Sequence, residues 1–325
     1  MLQLAVWLSG QVSFEQAARI MSEVGQIHIS ASSIWRKTKP WGEQLLAHEG
    51  RQCARANALP SRAEPERGEA KHRQRMGLSV DGWMVNIRGE GWKEVKSGVI
   101  YEVVRKERVD KRSGETLEEI KAVKGSYVAH LGGPEEFGQK LWTEAVQRRV
   151  PAAQEKVWVS DGAHWIWGLC QDHFPQAKQI VDWYHAVAHL GCAGQLLYGE
   201  GTSQTKRWLE RMKTALYQGH AARIAHTLEK LAEPCSTDLA TELRSEATFF
   251  RNHQRRMQYL EYRADGWPIG SGCVESTCKQ FQARLKGPGM RWSRPGAERM
   301  LAIRAIILSQ HFFDTWTLLQ NSPAA

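Results

Sequence analysis

The stretch Arg75-Met76-Gly77-Leu78-Ser79-Val80-Asp81-Gly82-Trp83-Met84-Val85-Asn86-Ile87 sets how the rest of the chain is read. It has the character of a β-strand and carries one carboxylate, Asp81, followed at once by a glycine. A second strand is predicted within Trp92 to Val104, on Val95, Val99, Ile100, Tyr101, Val103 and Val104. A third covers Ser126-Tyr127-Val128-Ala129-His130-Leu131. The charged and Gly-bearing connections suit antiparallel neighbours.

Beyond these strands the pattern alternates. Pro134 to Arg149 is helical, with Phe137, Leu141, Trp142 and Ala145 on one side. Lys156-Val157-Trp158-Val159-Ser160-Asp161 is a short buried strand, and a helix follows from Gly162. Ala177 to Val181 is a fifth strand, again followed by a helix. Three consecutive strands and then helix, strand, helix, strand, helix predict an α/β fold of the ribonuclease-H-like kind, a mixed sheet flanked by helices.

Residues 1–50 read as helical. Ser13-Phe14-Glu15-Gln16 has the form of a capping box, and Gly25 is placed to stop the helix it opens. A second helix starts near Ser30 to Ser33 and carries the basic Arg36 and Lys37. The pair fits a helix-turn-helix-like DNA-binding segment or a plain helical hairpin. Residues 51–74 lack apolar periodicity and read as a linker. The sheet would occupy 75–195 and a helical insertion 196–262, with a break at Glu233-Pro234-Cys235-Ser236. Residues 263–325 would carry a Gly-rich loop, a helix from about Val274 to Lys286 and another from Gly296 to Gln310.

The whole chain has 325 residues, 42% of them hydrophobic, enough to bury a sizeable core. No apolar run reaches the roughly 20 residues a membrane span needs. The apolar start, Met1 to Leu8, lacks a basic leader and a small-residue cleavage site, which argues against a signal peptide. Six scattered cysteines without a Cys-x-x-Cys pair suggest neither a zinc finger nor a disulfide framework, and fit a reducing cytoplasm. Lys and Arg exceed Asp and Glu by 44 to 35, a net +9 that favours a phosphate-bearing partner. The 14 tryptophans are read mostly as core.

Asp81 and Asp161 each follow apolar strand residues and precede a glycine. If the two strands are neighbours, both carboxylates meet over one sheet edge. Ribonuclease-H-like enzymes arrange their first two acids in this way. Glu275 lies near a helix start entered through Gly270-Ser271-Gly272, a position that suits a carboxylate. Three converging carboxylates could hold a pair of divalent cations about 3.5–4 Å apart, the arrangement that cleaves phosphodiesters. Taken singly, the same residues also suit turns, caps and helix starts.

Five blocks resemble, in order, those of ISKra-type insertion-sequence transposases. They are Ser79-Val80-Asp81-Gly82, Trp92-Lys93-Glu94-Val95-Lys96, Val159 to Trp167 beginning Val-Ser-Asp-Gly, Asp182 to Leu190, and Gly270-Ser271-Gly272-Cys273-Val274-Glu275-Ser276. Gly289-Met290-Arg291-Trp292-Ser293 is similar to that family's C-terminal block, and the likeness covers about residues 75–310. It implies a DDE transposase that cleaves and joins DNA in the nucleoid-associated cytoplasm, with Asp81, Asp161 and Glu275 as its metal-binding acids. It also implies two magnesium ions, for which manganese can substitute. The start of the chain resembles the middle of that family's N-terminal region, which implies that an upstream DNA-binding segment is lacking.

Asp182 and His185 resemble the Asp-x-x-His pair of Mutator-like transposases, which would make His185 catalytic. A structural bridge from strand end to helix explains the pair equally well. His189 extends the same helix face. Glu275, Lys279, Gln282 and Lys286 share one helix face. Lys279 is then either a DNA-backbone contact or an ordinary partner of Glu275. Lys286, Arg291 and Trp292 complete the expected DNA contacts, while Trp208 is weighed as a stacking residue or a core indole. The expected partners are double-stranded DNA, as element ends and target, and further copies of the chain in a dimer or higher assembly. A nuclease of the same fold, a non-catalytic DNA-binding remnant and a carbohydrate-active enzyme are the rivals.

Overall fold

The computed structural model describes residues 1–58, 74–109 and 116–321. It opens on α1 (Leu2–Gln11), α2 (Phe14–Glu23) and α3 (Ala31–Ala58). The capping box forms: Ser13 Oγ accepts from the Gln16 N–H at 3.2 Å, and the Gln16 side-chain oxygen accepts from the Ser13 N–H at 3.3 Å. α2 ends two residues before Gly25, and the left-handed residue of the turn is Gln26, with φ +52°. Ala5, Leu8, Ala17, Met21 and Ile34 make a small core among these helices.

α3 corrects the boundary expected at residue 50, because it continues to Ala58. Its last turns bury little beyond Ala56, so no apolar stripe shows in the sequence. Asn57 instead bonds the Gln139 carbonyl and the Thr143 hydroxyl, and the Trp142 indole donates to the Ala56 carbonyl at 3.4 Å. The rest of the expected linker, 59–73, lies outside the described residues.

There follow β1 (Arg75–Ile87), β2 (Gly91–Val109), β3 (Thr116–His130), α4 (Pro134–Gln147), β4 (Glu155–Ser160), α5 (His164–His173) and β5 (Lys178–Val181). The strands form one mixed sheet in the order β3-β2-β1-β4-β5. β1, β2 and β3 pair antiparallel, while β4 lies parallel to β1 and β5 parallel to β4. β2 and β3 outrun the apolar segments that announce them. Their ends carry charges such as Arg105 with Glu118 and Lys124 with Glu102, paired across the ribbon, so no alternation marks them in the sequence.

The remaining helices are α6 (Trp183–Tyr198), α7 (Ser203–Tyr217), α8 (Ala221–Ala232), α9 (Thr237–His253), α10 (Tyr259–Ala264), α11 (Gly272–Leu285), α12 (Arg294–Leu308) and α13 (Phe312–Asn321). The break between α8 and α9 falls at the expected Glu233 to Ser236. Leu228, Leu243 and Phe250 belong to one continuous core with Val80 and Val159 of the sheet. α4 covers one face of β2: a Cβ on Gly98 would sit 3.1 Å from Leu141 and 3.2 Å from Phe137. α11 packs on β1 and β2 from the opposite face, with Phe281 stacked on Trp83 at 6.4 Å. No helix among the described residues is long and apolar enough to cross a membrane.

Candidate metal and nucleic-acid site

Leu78 of β1 stands opposite Trp158 of β4 in the parallel register. Carried three residues further, that register sets Asp81 beside Asp161. Residues opposite one another in neighbouring strands point to the same face, and the odd-numbered positions of β1 face α11. Both carboxylates therefore reach the α11 side of the sheet.

Asp81 Oδ1 accepts from the Gly82 N–H at 2.7 Å, and Oδ2 accepts from the Cys278 thiol at 3.5 Å. Burial raises the Asp81 pKa. The Gly82 N–H opposes that rise, the charge of Asp161 adds to it, and Cys278 and His185 oppose it more weakly. Asp161 Oδ1 accepts from the Ala163 N–H at 2.9 Å, closing a turn through Gly162 at φ +115°. A side chain at Gly162 would press on Phe249 of α9 at 3.0 Å, so the glycine serves both backbone and packing. Among the described residues neither aspartate belongs to an ion pair.

Glu275 lies in the first turn of α11 and is largely exposed, and its Oε1 accepts from Lys279 Nζ at 2.5 Å. Cys278, one turn further, is the residue that touches Asp81. Burial pushes the Cys278 thiol well up, and the charges of Asp81, Asp161 and Glu275 push it further. One thiol therefore senses all three acids. The structure brings Asp81 and Asp161 together but holds Glu275 a helical turn away, turned toward Lys279. Among the described residues no group of three His, Cys, Asp or Glu is gathered closely enough to hold a metal ion. The donor set still fits a hard cation: two neighbouring carboxylates without a counter-charge, spare oxygen lone pairs, and a third carboxylate on the adjoining helix.

Asp182 is buried and does not bond the His185 ring. Its Oδ1 accepts from the His185 backbone N–H at 2.6 Å, capping α6, and its Oδ2 accepts from the Ser271 N–H. The Trp183 N–H donates to the Ile269 carbonyl at 2.8 Å beside it. Asp182 thus ties the end of β5 to the loop that delivers Glu275, a bridge wider than strand end to helix. The His185 ring is exposed, 5.3 Å from the His189 ring and 6.4 Å from that of Phe249. His189 Nδ1 pairs with Glu246 Oε2 at 2.7 Å, and its ring stacks on Phe249 at 3.7 Å. Glu246 and Phe249 come from α9, and no local pattern in the sequence points to them.

Lys279, Gln282 and Lys286 follow Glu275 along the outer face of α11, and Lys286 Nζ lies 5.4 Å from the Trp92 ring. Lys279 makes the ordinary i, i+4 pair in this structure. Arg291 is exposed. Trp292 is already engaged: its indole donates to the Leu285 carbonyl at 2.9 Å and its ring covers Arg284 at 5.0 Å. Arg36 and Lys37 are exposed on α3, with Arg36 donating to Ser33 Oγ at 3.1 Å. Trp208 is a buried core indole beside Tyr198. Asp265 pairs with Lys178 at the far end of β5, away from Asp81 and Asp161.

No family model matches the chain, and no curated protein is significantly similar to it.

Proposed function

We propose that the chain is a DNA transposase of the DDE type, with a ribonuclease-H-like catalytic core into which 196–262 is inserted as a helical unit. The observation that carries this reading is the approach of Asp81 in β1 and Asp161 just past the end of the parallel neighbour β4, with the Glu275 helix docked against Asp81 through Cys278. The strand order β3-β2-β1-β4-β5 is compatible with that fold. Asp81, Asp161 and Glu275 would hold two magnesium ions, which supply charge neutralisation at the phosphate and an activated nucleophile. Glu275 reaches the site by releasing Lys279, and Lys279 is then free to meet a DNA phosphate. His185, on the rim beside Asp81, orients the attacking group or hands a proton to the leaving oxygen. Water attacks the phosphodiester at an element end and frees a 3′-hydroxyl, and that hydroxyl attacks the target strand. Two ends must be handled together, so the working form is a dimer or larger assembly on duplex DNA. α2 and α3, with Arg36 and Lys37, supply helix-turn-helix-like DNA contacts.

The test is magnesium- or manganese-dependent cutting and strand transfer on linear DNA taken from either side of the chain's own coding sequence. Asp81→Asn, Asp161→Asn and Glu275→Gln should each lose cutting by at least about a hundredfold, as removal of a group central to transition-state stabilisation does, and still bind DNA. Full activity in any one removes that residue from the site. Hydrolysis without joining would mark a nuclease of the same fold. The outward turn of Glu275 favours a second reading, a DNA-binding remnant, which predicts no cutting at all.

A further inference from the structure

A groove of about 400 Å³ lies between the N-terminal helices and the loop that precedes α12. Its walls carry Lys39 and Trp35 of α3, Arg88 of the β1–β2 turn, and Arg291. Lys39, Arg88 and Arg291 are exposed, and among the described residues none of them is in an ion pair. Arg284 forms part of the lining and is itself 2% exposed. Its Nε donates to the Ser9 carbonyl at 2.6 Å, but its Nη2 is buried without a hydrogen-bond partner. The guanidinium lies between the rings of Phe14 and Trp292, at 5.2 and 5.0 Å. A buried cation without a carboxylate partner is costly unless negative charge comes close. The N-termini of α2 and α12, at Ser13 and Ser293, open on the same groove and add their partial positive charge. Lys39, Arg88, Arg284 and Arg291 line it against the single carboxylate of Glu15, while a fifth cation, Arg299, is paired with Glu43 at 3.2 Å.

The groove also lies on a track from the acids. Arg88 follows Asp81 by seven residues along an extended strand, about 23 Å at 3.3 Å per residue. The outer face of α11 runs the same way, from Glu275 through Lys279 and Gln282 to Lys286 beside Trp92. At about 3.4 Å per base pair, that span is roughly seven base pairs of duplex.

We infer that this groove is a second DNA-backbone site, in which Lys39, Arg88 and Arg291 contact phosphates about seven base pairs from the cut bond while Arg284 charges the floor. The spacing rests on the transposase reading, whereas the binding itself does not. The test is fluorescence anisotropy of the full chain with a labelled duplex between 50 and 200 mM salt. Arg88→Ala with Arg291→Ala should weaken binding about tenfold and lower the salt slope by about 2, near 0.9 per lost phosphate contact. Lys39→Ala should lower the slope by about one more. Replacing both arginines by lysine should restore most of the affinity, because the charge returns. Wild-type affinity and slope in the double alanine variant would overturn the inference, as would failure of the lysine rescue or no DNA binding by the parent chain. If the groove variants lose binding but no cutting is ever seen with magnesium, the groove stands and the transposase reading falls. If Asp81→Asn abolishes cutting while the double alanine variant binds and cuts like the parent, only the groove falls.

Discussion

Burial disfavours the ionised form of Asp81. The residue is partly buried, next to Asp161 and without a cationic partner, and its pKa is raised for those reasons. A carboxyl with a raised folded-state pKa stabilises the fold below its unfolded value, and that contribution disappears as the pH rises through the folded value. Above that folded value the charge is a burden. Asp81→Asn should raise the melting temperature by a few degrees without divalent ions, of the order that about 1 kcal/mol gives in a domain of this size. If Asp81 helps to hold the ion, millimolar magnesium or manganese should raise that of the parent chain and leave the variant unmoved. Calorimetry with and without the ions decides it, and an unresponsive parent chain would count against the metal site. Asp182 works at one remove. Asp182→Ala leaves the His185 and Ser271 N–H groups unpaired, a cost of about 1–3 kcal/mol. Because Ser271 opens the turn into α11, the transposase reading predicts that the variant's kcat for cutting falls while DNA affinity holds. Loss of stability alone, with kcat unchanged, would make Asp182 a simple helix cap.

At the scale of elements, β1 depends on a close approach that its sequence half-discloses. Gly77 faces the buried Tyr101 ring, and a Cβ there would lie 2.1 Å from Cε2. Gly77→Ala should cost about 1–3 kcal/mol by overpacking, read from urea denaturation. A smaller effect would mean that the ring moves easily. Strands were legible where both faces are buried, as in Val157 to Val159, because complete burial enforces a continuous apolar run. The outer halves of β2 and β3 were not, since both of their faces carry charge and their stability comes from the partner strand. The last turns of α3 escaped for a related reason: they dock through backbone and amide contacts to α4 instead of through an apolar stripe.

At the scale of the molecule, the end of α9 packs on the Gly162 turn and on Trp167 of α5, and His253 is partly buried there. Burial pulls the pKa of His253 down to about 4, with Arg256 and His189 adding to the effect, and burial likewise takes His130 to about 4. A histidine depressed in the folded state gives full stability above its unfolded value of 6.5, and that stability is lost as the pH falls toward 4. Glu144, whose pKa burial raises, works in the opposite sense. The melting temperature should therefore drop between pH 6.5 and 4, and His253→Gln should flatten the slope. Parallel slopes for the two proteins would show that His253 is not held neutral.

The acids, the glycines beside them and the order of strands and helices could be read from the chain, because each imposes a local pattern of burial, turn or charge. The contacts that join the acids could not. Cys278 meets Asp81 across 197 positions, Asp182 holds Ser271 across 89, and Glu246 finds His189 across 57. No periodicity records such pairs, since each is fixed by how a strand edge and two helices pack. The direction of Glu275 is likewise a tertiary matter: its helix start is written in the sequence, but the choice between Lys279 and the aspartates is made by charge and space around the folded site.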